Sequence, residues 1–246
     1  MALPGPVSGP VPVSDSGPAL AWALPHGVRV AWSTAADGDQ RDPTKRTAFA
    51  RAHSGDRPLV IPRQVHGTLV VAHDAADLSQ ADGVVSRDRA IALGAYGADC
   101  PGVVIATPDV VGIAHCGWRG TAGGMVAQLC AAIEAMSRSP RGDWHAFIGP
   151  GISGPKYEVD GPVLSARAWP VTALSPSAHT GRAHLDLVTA IAADLQAAGV
   201  MAVGPSGVCT ASDPRLHSFR HQGAGLVQAL IVWRDPGPGP RLSFEL

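Results

Sequence analysis

Short apolar runs rich in β-branched residues follow one another along the middle of the chain. Six of them lie between Leu59 and His115, and polar or turn-forming residues separate each from the next. They occupy residues 59–61, 69–72, 83–85, 91–95, 103–107 and 110–115. Runs of this length and composition predict strands. Thr107-Pro108-Asp109 predicts the turn of a hairpin between the last two runs.

Helical periodicity marks fewer segments. Asp42-Pro43 supplies an N-cap and a first-turn proline for a helix that runs to about His53. Apolar residues recur at helical spacing over 125–136 and over 187–195. Asp186 is the predicted N-cap of the second of these helices, and Gly199 is its predicted stop.

The two ends of the chain complete the predicted organisation. Residues 1–18 are rich in Pro, Gly and Ser, which predicts a mobile N-terminal tail or a loosely attached first strand. Alternation over 28–32 predicts an early strand, and the apolar run 226–233 predicts a central, buried one. We therefore expect a single mixed α/β (α+β) domain over residues 19–246, with helices covering the sheets.

Composition excludes several classes of protein. Hydrophobic residues make up 46% of the 246 residues and charged residues 16%, so most of the chain is expected to be globular. The net charge of −1 without a basic stripe predicts no nucleic-acid partner. No apolar run is long enough for a membrane span, and the N-terminus has no secretory signal pattern. The four scattered cysteines are expected to be reduced, in a cytoplasmic protein.

Two histidines and one cysteine are candidate metal ligands. His66 lies in a predicted loop beside Gly67, Cys100 at a strand-to-loop corner, and His115 at the end of a predicted buried strand. Strand alternation points Cys116 to the opposite face, into the core. Two imidazoles and a thiolate suit Zn²⁺, or Cu²⁺, with a fourth position left open. Spacing alone leaves open that the histidines are satisfied core residues and that Cys100 packs as a small apolar one.

Two roles are open for each of three further features: the turn 117–124, Asp99 and Gln64. The turn 117–124 joins a strand to a helix, and its small residues with Arg119 would bind an anion, or would form a plain connection. Asp99 is a candidate proton-transfer group, or a structural cap. Gln64 would hydrogen-bond a base edge, or orient His66.

Together these signatures resemble the laccase-domain family of YfiH/YlmD-type proteins, once called multicopper polyphenol oxidases. The matching pieces keep their order and cover roughly residues 40 to 233: Arg63-Gln64-Val65-His66-Gly67-Thr68, Ala81-Asp82-Gly83, Ala98-Asp99-Cys100-Pro101, Ala114-His115-Cys116-Gly117-Trp118-Arg119-Gly120, Gly149-Pro150-Gly151-Ile152, Tyr157-Glu158-Val159, Cys209-Thr210 and Ser218-Phe219-Arg220. The resemblance implies a layered α/β/β/α fold with internal duplication. It also implies that His66, Cys100 and His115 bind zinc, with copper an older assignment.

The resemblance implies activities as well. Family members are described as purine nucleoside enzymes, which phosphorolyse adenosine, inosine, guanosine and methylthioadenosine and deaminate adenosine. Others are named peptidoglycan editing factors. The implied partners are a small-molecule nucleoside and phosphate, with no nucleic acid and no membrane. Besides Asp99, Arg119 and Gln64 as catalytic candidates, the expected substrate- or anion-binding residues are Arg46, Gly120, Thr121, Ser218 and Arg220.

This chain departs from the family pattern at three places. The usual arginine-containing segment after the first strand reads Ser33-Thr34-Ala35-Ala36-Asp37-Gly38, without an arginine. The usual Asn-Arg pair is Lys45-Arg46, and Gly97 stands where a threonine is usual. If the missing arginine binds phosphate or substrate, phosphorolysis is weakened while the metal site survives.

Three function hypotheses result. The leading one is metal-assisted chemistry on a purine nucleoside. The second is a cysteine hydrolase acting on a cell-wall precursor amide, with Cys100 as nucleophile and His115 as base. The third is a non-enzymatic protein of the cell-division or envelope machinery.

Overall fold

The computed structural model describes residues 11–14 and 20–235. Its strands are β1 (Val11–Ser14), β2 (Leu20–Leu24), β3 (Val28–Trp32), β4 (Leu59–Val60), β5 (Val70–Ala72), β6 (Gly83–Ser86), β7 (Ala92–Gly97), β8 (Gly102–Ala106), β9 (Val111–His115), β10 (His145–Ile148), β11 (Glu158–Val159), β12 (Leu174–Pro176), β13 (Ala183–Leu185), β14 (Ala202–Pro205) and β15 (Gln228–Arg234). Its α-helices are α1 (Pro43–Ser54), α2 (Trp118–Ala122), α3 (Met125–Met136), α4 (Gly161–Leu164), α5 (Leu187–Ala197) and α6 (Phe219–Gln222).

Most strands belong to two six-stranded sheets. The first sheet has the order β1-β2-β3-β15-β7-β4, and the second has the order β14-β10-β8-β9-β6-β5. Each is mixed, because β4 pairs parallel to β7, and β5 parallel to β6, among otherwise mostly antiparallel pairs. A small third sheet, β11-β13-β12, lies outside both.

The two large sheets pack face to face over a shared core. Alternate residues of β15 divide between its two faces, as a strand's period of two requires. Leu230 and Val232 join the core between the sheets, together with Ile113 and Phe147 of the second sheet. The opposite face of β15 carries Ile231, among other residues.

Helices cover the outer face of each sheet. On the first sheet, Phe49 of α1 packs with Ile231 and Trp233. On the second, α3 and α5 bury their apolar stripes in one cluster with Ile105 and Ile148. The order of layers is therefore α/β/β/α, as the resemblance implied. None of the described helices is long enough to cross a membrane, since the longest have twelve residues and a span needs about 20.

The strands and long helices predicted from periodicity are confirmed, with bounds that shift by at most two residues. Asp42 caps α1 by accepting from the Thr44 N–H, and Asp186 caps α5 by accepting from the Thr189 N–H. β15 is buried along its whole length between β3 and β7. β8 and β9 form the predicted hairpin, whose turn Thr107 closes through its hydroxyl.

Two segments differ from the simplest expectation or extend it. The connection 117–124 is not a plain turn, because residues 118–122 form the short helix α2 before α3 begins. Within the predicted tail, residues 11–14 form β1, which pairs with β2 at the edge of the first sheet. Residues 1–10 and 15–18 of that predicted tail lie outside the described residues.

Candidate metal centre

The candidate ligands lie where the chain passes from one large sheet to the other. His66 belongs to the loop that leaves β4 of the first sheet for β5 of the second. Cys100 belongs to the corner that leaves β7 of the first sheet for β8 of the second. His115 ends β9 and is paired in register with Gly102, just after that corner. Both crossovers and the end of β9 therefore meet at one edge of the sandwich.

His66, Cys100 and His115 form one compact group. One donor atom from each residue, two ring nitrogens and a sulfur, lies within 4.8 Å of the others. The two imidazole rings stand almost perpendicular, at 88°, with centroids 4.7 Å apart. His115 is buried, Cys100 is half-buried and His66 is exposed, so the group opens to solvent on the His66 side.

A buried carboxylate, Asp82, holds two of these residues. Its Oδ1 accepts from Nδ1 of His115 at 2.9 Å and from the backbone N–H of His66 at 2.9 Å. Its Oδ2 accepts from the backbone N–H groups of Val65 and Gly67. These bonds support the left-handed backbone of His66, at φ 62°, which a non-glycine residue seldom adopts. They also leave Nε2 as the ring nitrogen of His115 that Asp82 does not engage.

The residues of the group fit a zinc or copper ion. A thiolate with two imidazoles is a donor set for these metals and not for magnesium or calcium, which prefer oxygen. The carboxylate behind His115 is the usual partner of a metal-binding histidine. Gly117 leaves the necessary room, because a Cβ atom there would lie 2.8 Å from the Cys100 sulfur and 3.4 Å from the His66 ring. The absence of a side chain at Gly117 keeps this space open.

Charge interactions within the group favour a thiolate. Burial by itself raises the pKa of Cys100, but hydrogen bonds and the charges of His115 and His66 outweigh it and bring the pKa down to about 6. Burial lowers the pKa of His115, while Asp82 and Cys100 raise it, to about 9. Cys116 behaves oppositely, because burial in the apolar core raises the pKa of its thiol. The predicted assignment of Cys116 to the core is thus confirmed.

Asp99, the predicted proton-transfer candidate, lies next to Cys100 with both carboxylate oxygens engaged. Oδ1 accepts from the Thr210 hydroxyl at 2.6 Å, and Oδ2 accepts from the Arg220 backbone N–H at 2.7 Å. Asp99 is 7% exposed and has a φ of 106°. These contacts tie the corner that carries Cys100 to the segment that precedes β15. They favour the structural role of Asp99 over proton transfer.

Gln64 and Arg46 converge on Tyr96 of β7. The Gln64 amide donates to the Tyr96 carbonyl at 3.0 Å and accepts from the Tyr96 N–H at 2.6 Å. The Arg46 guanidinium donates to the Tyr96 hydroxyl and to the carbonyls of Gln40 and Arg41. Gln64 therefore ties the loop of His66 to β7, in line with its predicted orienting role.

The predicted anion-binding residues of α2 take different positions. Arg119 is exposed, with its guanidinium 4.3 Å from the centroid of the Trp118 ring. Gly120 is buried, and a Cβ atom there would approach the Gly67 carbonyl to 3.0 Å. Thr121 is buried, and its hydroxyl donates to the Cys116 carbonyl. Gly120 thus lets α2 pack against the His66 loop, Thr121 ties α2 to the residue that follows β9, and Arg119 faces solvent.

Ser218 and Arg220 lie on the segment that Asp99 holds. Ser218 is buried and caps α6 by accepting from the His221 N–H. The Arg220 guanidinium donates to the Glu158 carbonyl at 2.6 Å and lies 4.9 Å from the centroid of the Tyr157 ring. The backbone of Arg220 is therefore tied to Asp99, the residue before Cys100, while the Ser218 hydroxyl caps α6.

The sequence assigns no role to Asp82, and none to Gly117 beyond its place in the predicted anion-binding turn. Asp82 directly precedes β6, and β6 pairs with β9 so that Gly83 is opposite Ala114. This register places Asp82 beside His115, whose N–H donates to the Asp82 carbonyl. Knowledge that β6 pairs with β9 would have predicted that the Asp82 carboxylate lies beside His115. The periodicity of the strands does not encode which strands are neighbours.

Comparisons of sequence identify the relatives of this chain. Residues 33–234 match the family model described as multi-copper polyphenol oxidoreductase laccase. A purine nucleoside phosphorylase of Pseudomonas aeruginosa is 30% identical over 236 residues, covering 86% of this chain and 96% of that protein. A purine nucleoside phosphorylase of Deinococcus radiodurans is 33% identical over 159 residues, which span 64% of this chain and 62% of that protein.

Solved structures show the same fold. YlmD from Geobacillus stearothermophilus superposes with a TM-score of 0.80 at 22% identity, over 92% of this chain and 100% of that one. Protein NMB0706 from Neisseria meningitidis superposes with a TM-score of 0.76 at 24% identity, over 93% of this chain and 100% of that one. With the family match over residues 33–234, the chain belongs to the laccase-domain family of YfiH/YlmD-type proteins.

Proposed function

We propose that this chain is a zinc-dependent purine nucleoside phosphorylase. The observation that carries the proposal is the convergence of donor atoms of His66, Cys100 and His115 within 4.8 Å, in a group that opens to solvent on the His66 side. The names of the relatives supply the substrate class, a purine nucleoside with phosphate. The donor set suits zinc and leaves a coordination position for a substrate. Copper, which the same donors accept, is the alternative metal.

The chain's own residues would position the reactants. A zinc ion held by the trio would supply a Lewis acid that draws electron density from a substrate atom. Asp82 would keep His115 in one orientation and one tautomer, because its Oδ1 accepts from Nδ1. Arg119, exposed at the start of α2, would bind phosphate through its guanidinium.

In phosphorolysis a phosphate oxygen forms a bond to C1′ of the ribose, while the bond from C1′ to the purine nitrogen breaks. The electron pair of that bond goes to the purine, which gains a proton and leaves as the free base. Adenosine deamination would use the same pocket. The oxygen of a water molecule would bond to the purine carbon that carries the amino group, the bond from that carbon to the amino nitrogen would break, and ammonia would leave with a proton taken from the water. Asp99 is a candidate for this proton transfer or for a structural cap, and its two engaged oxygens favour the structural role.

Turnover of inosine with phosphate tests the proposal. The wild-type protein with bound zinc is expected to release hypoxanthine and ribose 1-phosphate only when phosphate is present. His115→Ala removes one ligand and is expected to lower the rate by at least ~100-fold. Chromatography of the products measures both, with adenosine in phosphate-free buffer as the deamination assay. A wild-type protein that holds zinc and releases no base would contradict the proposal.

One observation favours a second candidate, the cysteine hydrolase. The His115 ring contacts the Asp82 carboxylate and lies beside the Cys100 thiol, whose pKa is lowered to about 6. This is also the order of groups in an activated cysteine nucleophile. Amide hydrolysis of a cell-wall precursor by chelator-treated protein, lost in Cys100→Ala, would support the hydrolase. Loss of all activity on chelation would support the zinc enzyme.

A further inference from the structure

The corner that carries Cys100 packs against two core side chains of the first sheet. Gly97 ends β7, and Gly102 begins β8. Leu230 of β15 packs against Gly102, where a Cβ atom would lie 2.6 Å from Leu230 Cδ2. Trp32 of β3 packs against Gly97, where a Cβ atom would lie 2.7 Å from its Cη2 atom. The two glycines therefore let the corner lie directly on the core.

The contact at Gly97 also involves the metal ligand. A Cβ atom at Gly97 would lie 2.7 Å from the carbonyl oxygen of Cys100, in addition to its approach to the Trp32 ring. Even one methyl group therefore does not fit between the indole ring and the Cys100 backbone. Glycine stands at residue 97 where the family pattern has a threonine, so this close contact is a feature of this chain. The indole ring limits how the Cys100 backbone can be placed.

The Trp32 ring contributes packing rather than a hydrogen bond. Trp32 is completely buried, and within the described residues its indole N–H has no hydrogen-bond partner. A buried tryptophan N–H usually finds one, because an unmade hydrogen bond costs free energy. A phenyl ring in place of the indole would lose no hydrogen bond, but it would leave a void beside Gly97.

The corner is strained, so a void beside it would allow it to shift. Asp99, the residue before Cys100, has a φ of 106°, which a non-glycine residue seldom adopts. Such a backbone persists only where its surroundings hold it. Thr210 and the Arg220 backbone hold the Asp99 carboxylate, and the Trp32 ring supplies packing where the corner begins.

We propose that Trp32 is a positioning residue for the metal ligand Cys100. Its ring, in contact with the bare Cα of Gly97, places the Cys100 backbone and so sets the separation of the Cys100 sulfur from the two histidines. A zinc site tolerates little displacement of a donor, because its bonds to sulfur and nitrogen have narrow lengths of about 2.3 and 2.0 Å. This role rests on the metal-binding part of the proposed function and does not depend on the nucleoside substrate.

Trp32→Phe tests the role, and Trp22→Phe is the matched control. Trp22 lies on the neighbouring strand in the same core cluster, with its ring centroid 4.9 Å from that of Phe147. The atoms nearest to Gly97 do not include Trp22. Both variants open a void in the core, so the melting temperature of each metal-free protein is expected to fall.

Only Trp32→Phe is expected to change the metal site. The metal-free proteins are titrated with Co²⁺, whose absorption bands report its bond to the thiolate, and with Zn²⁺ in competition with a chelator. We expect zinc affinity to fall about tenfold in Trp32→Phe, the effect of losing a group that orients a ligand. The cobalt bands are expected to shift in the same variant. In Trp22→Phe zinc affinity is expected to stay within about twofold of the wild type, with unchanged cobalt bands.

Gly97→Ala and its combination with Trp32→Phe test the contact itself. The new methyl group would press on both the indole ring and the Cys100 carbonyl, and zinc affinity is expected to fall about 10- to 100-fold. A phenyl ring has no atom at the position of Cη2, so the double variant gives the methyl group room. We expect the double variant to bind zinc at least about threefold more tightly than Gly97→Ala alone.

Two results would overturn the positioning role: equal zinc affinities in Trp32→Phe and Trp22→Phe, or losses that simply combine in the double variant. A wild-type protein that binds neither cobalt nor zinc contradicts both this role and the proposed function. The assay of base release separates the two. Zinc binding that depends on Trp32, in a protein that releases no base, supports the role and contradicts the phosphorylase. Phosphorolysis with unchanged zinc affinity in Trp32→Phe supports the phosphorylase and contradicts the role.

Discussion

Asp82 and Asp99 are two buried carboxylates beside the same candidate metal centre, and each fixes a different part of the chain. Asp82 accepts four hydrogen bonds, three from the backbone of the His66 loop and one from the His115 ring. Asp99 accepts two, from Thr210 and from the Arg220 backbone. The first therefore orients ligands, and the second joins the Cys100 corner to the segment that carries Arg220. Adjacency to a ligand in sequence is a poorer guide to function than the atoms that a carboxylate contacts.

The largest effect is expected for Asp82→Ala. Four donors lose their acceptor, and the left-handed backbone of His66 loses its support. We expect the free energy of unfolding to fall by roughly 3 to 5 kcal/mol, as when one partner of a buried charged pair is removed. Zinc affinity is expected to fall about 10- to 100-fold. Denaturant unfolding and competition with a zinc chelator measure the two quantities. Unchanged zinc affinity would show that Asp82 does not orient the metal ligands.

Asp99→Asn tests whether the second carboxylate is a structural anchor. Asparagine tolerates positive φ and retains one acceptor oxygen, so the fold should survive. If Asp99 is an anchor, stability falls by about 1 to 3 kcal/mol and zinc affinity stays within a few-fold. If Asp99 transfers a proton, kcat falls by about 100-fold or more while stability is unchanged. Measuring unfolding and kcat on the same preparation decides between anchor and acid.

A smaller effect is expected for Gly117→Ala, which fills the space between the ligands. The new Cβ atom would stand 2.8 Å from the Cys100 sulfur, so the ligand must move. We expect zinc affinity to fall about tenfold, similar to the loss of a group that orients a ligand. Gly142→Ala is the control, because a Cβ atom there meets nothing within 4 Å. Equal zinc affinities in both variants would show that Gly117 does not shape the site.

The sequence predicted the elements of the fold better than their arrangement. Periodicity reports burial, so strands such as β9 and helices such as α3 and α5 were located within two residues. The short helix α2 was not predicted, since its segment is rich in glycine, which is a poor helix former. Gly120 is nevertheless accommodated because it lets α2 approach the Gly67 carbonyl. In α2 the packing of Gly120 against the Gly67 carbonyl outweighs the low helix propensity of glycine.

The site was predictable only in part. Nothing in the intervals between His66, Cys100 and His115 indicates that they meet, because the meeting depends on two crossovers between sheets. Only the family resemblance implied that His66, Cys100 and His115 bind a metal together.

The metal content of three proteins tests the central claim most directly: the wild type, Cys100→Ala and Cys116→Ala, all purified without added metal. Cys100 belongs to the trio, whereas Cys116 lies in the core with a pKa raised by burial. We predict about one zinc per chain in the wild type and in Cys116→Ala, and about a tenth of that or less in Cys100→Ala, since a three-ligand site depends on each donor. Metal-free wild type, or equal zinc in both cysteine variants, would contradict the account.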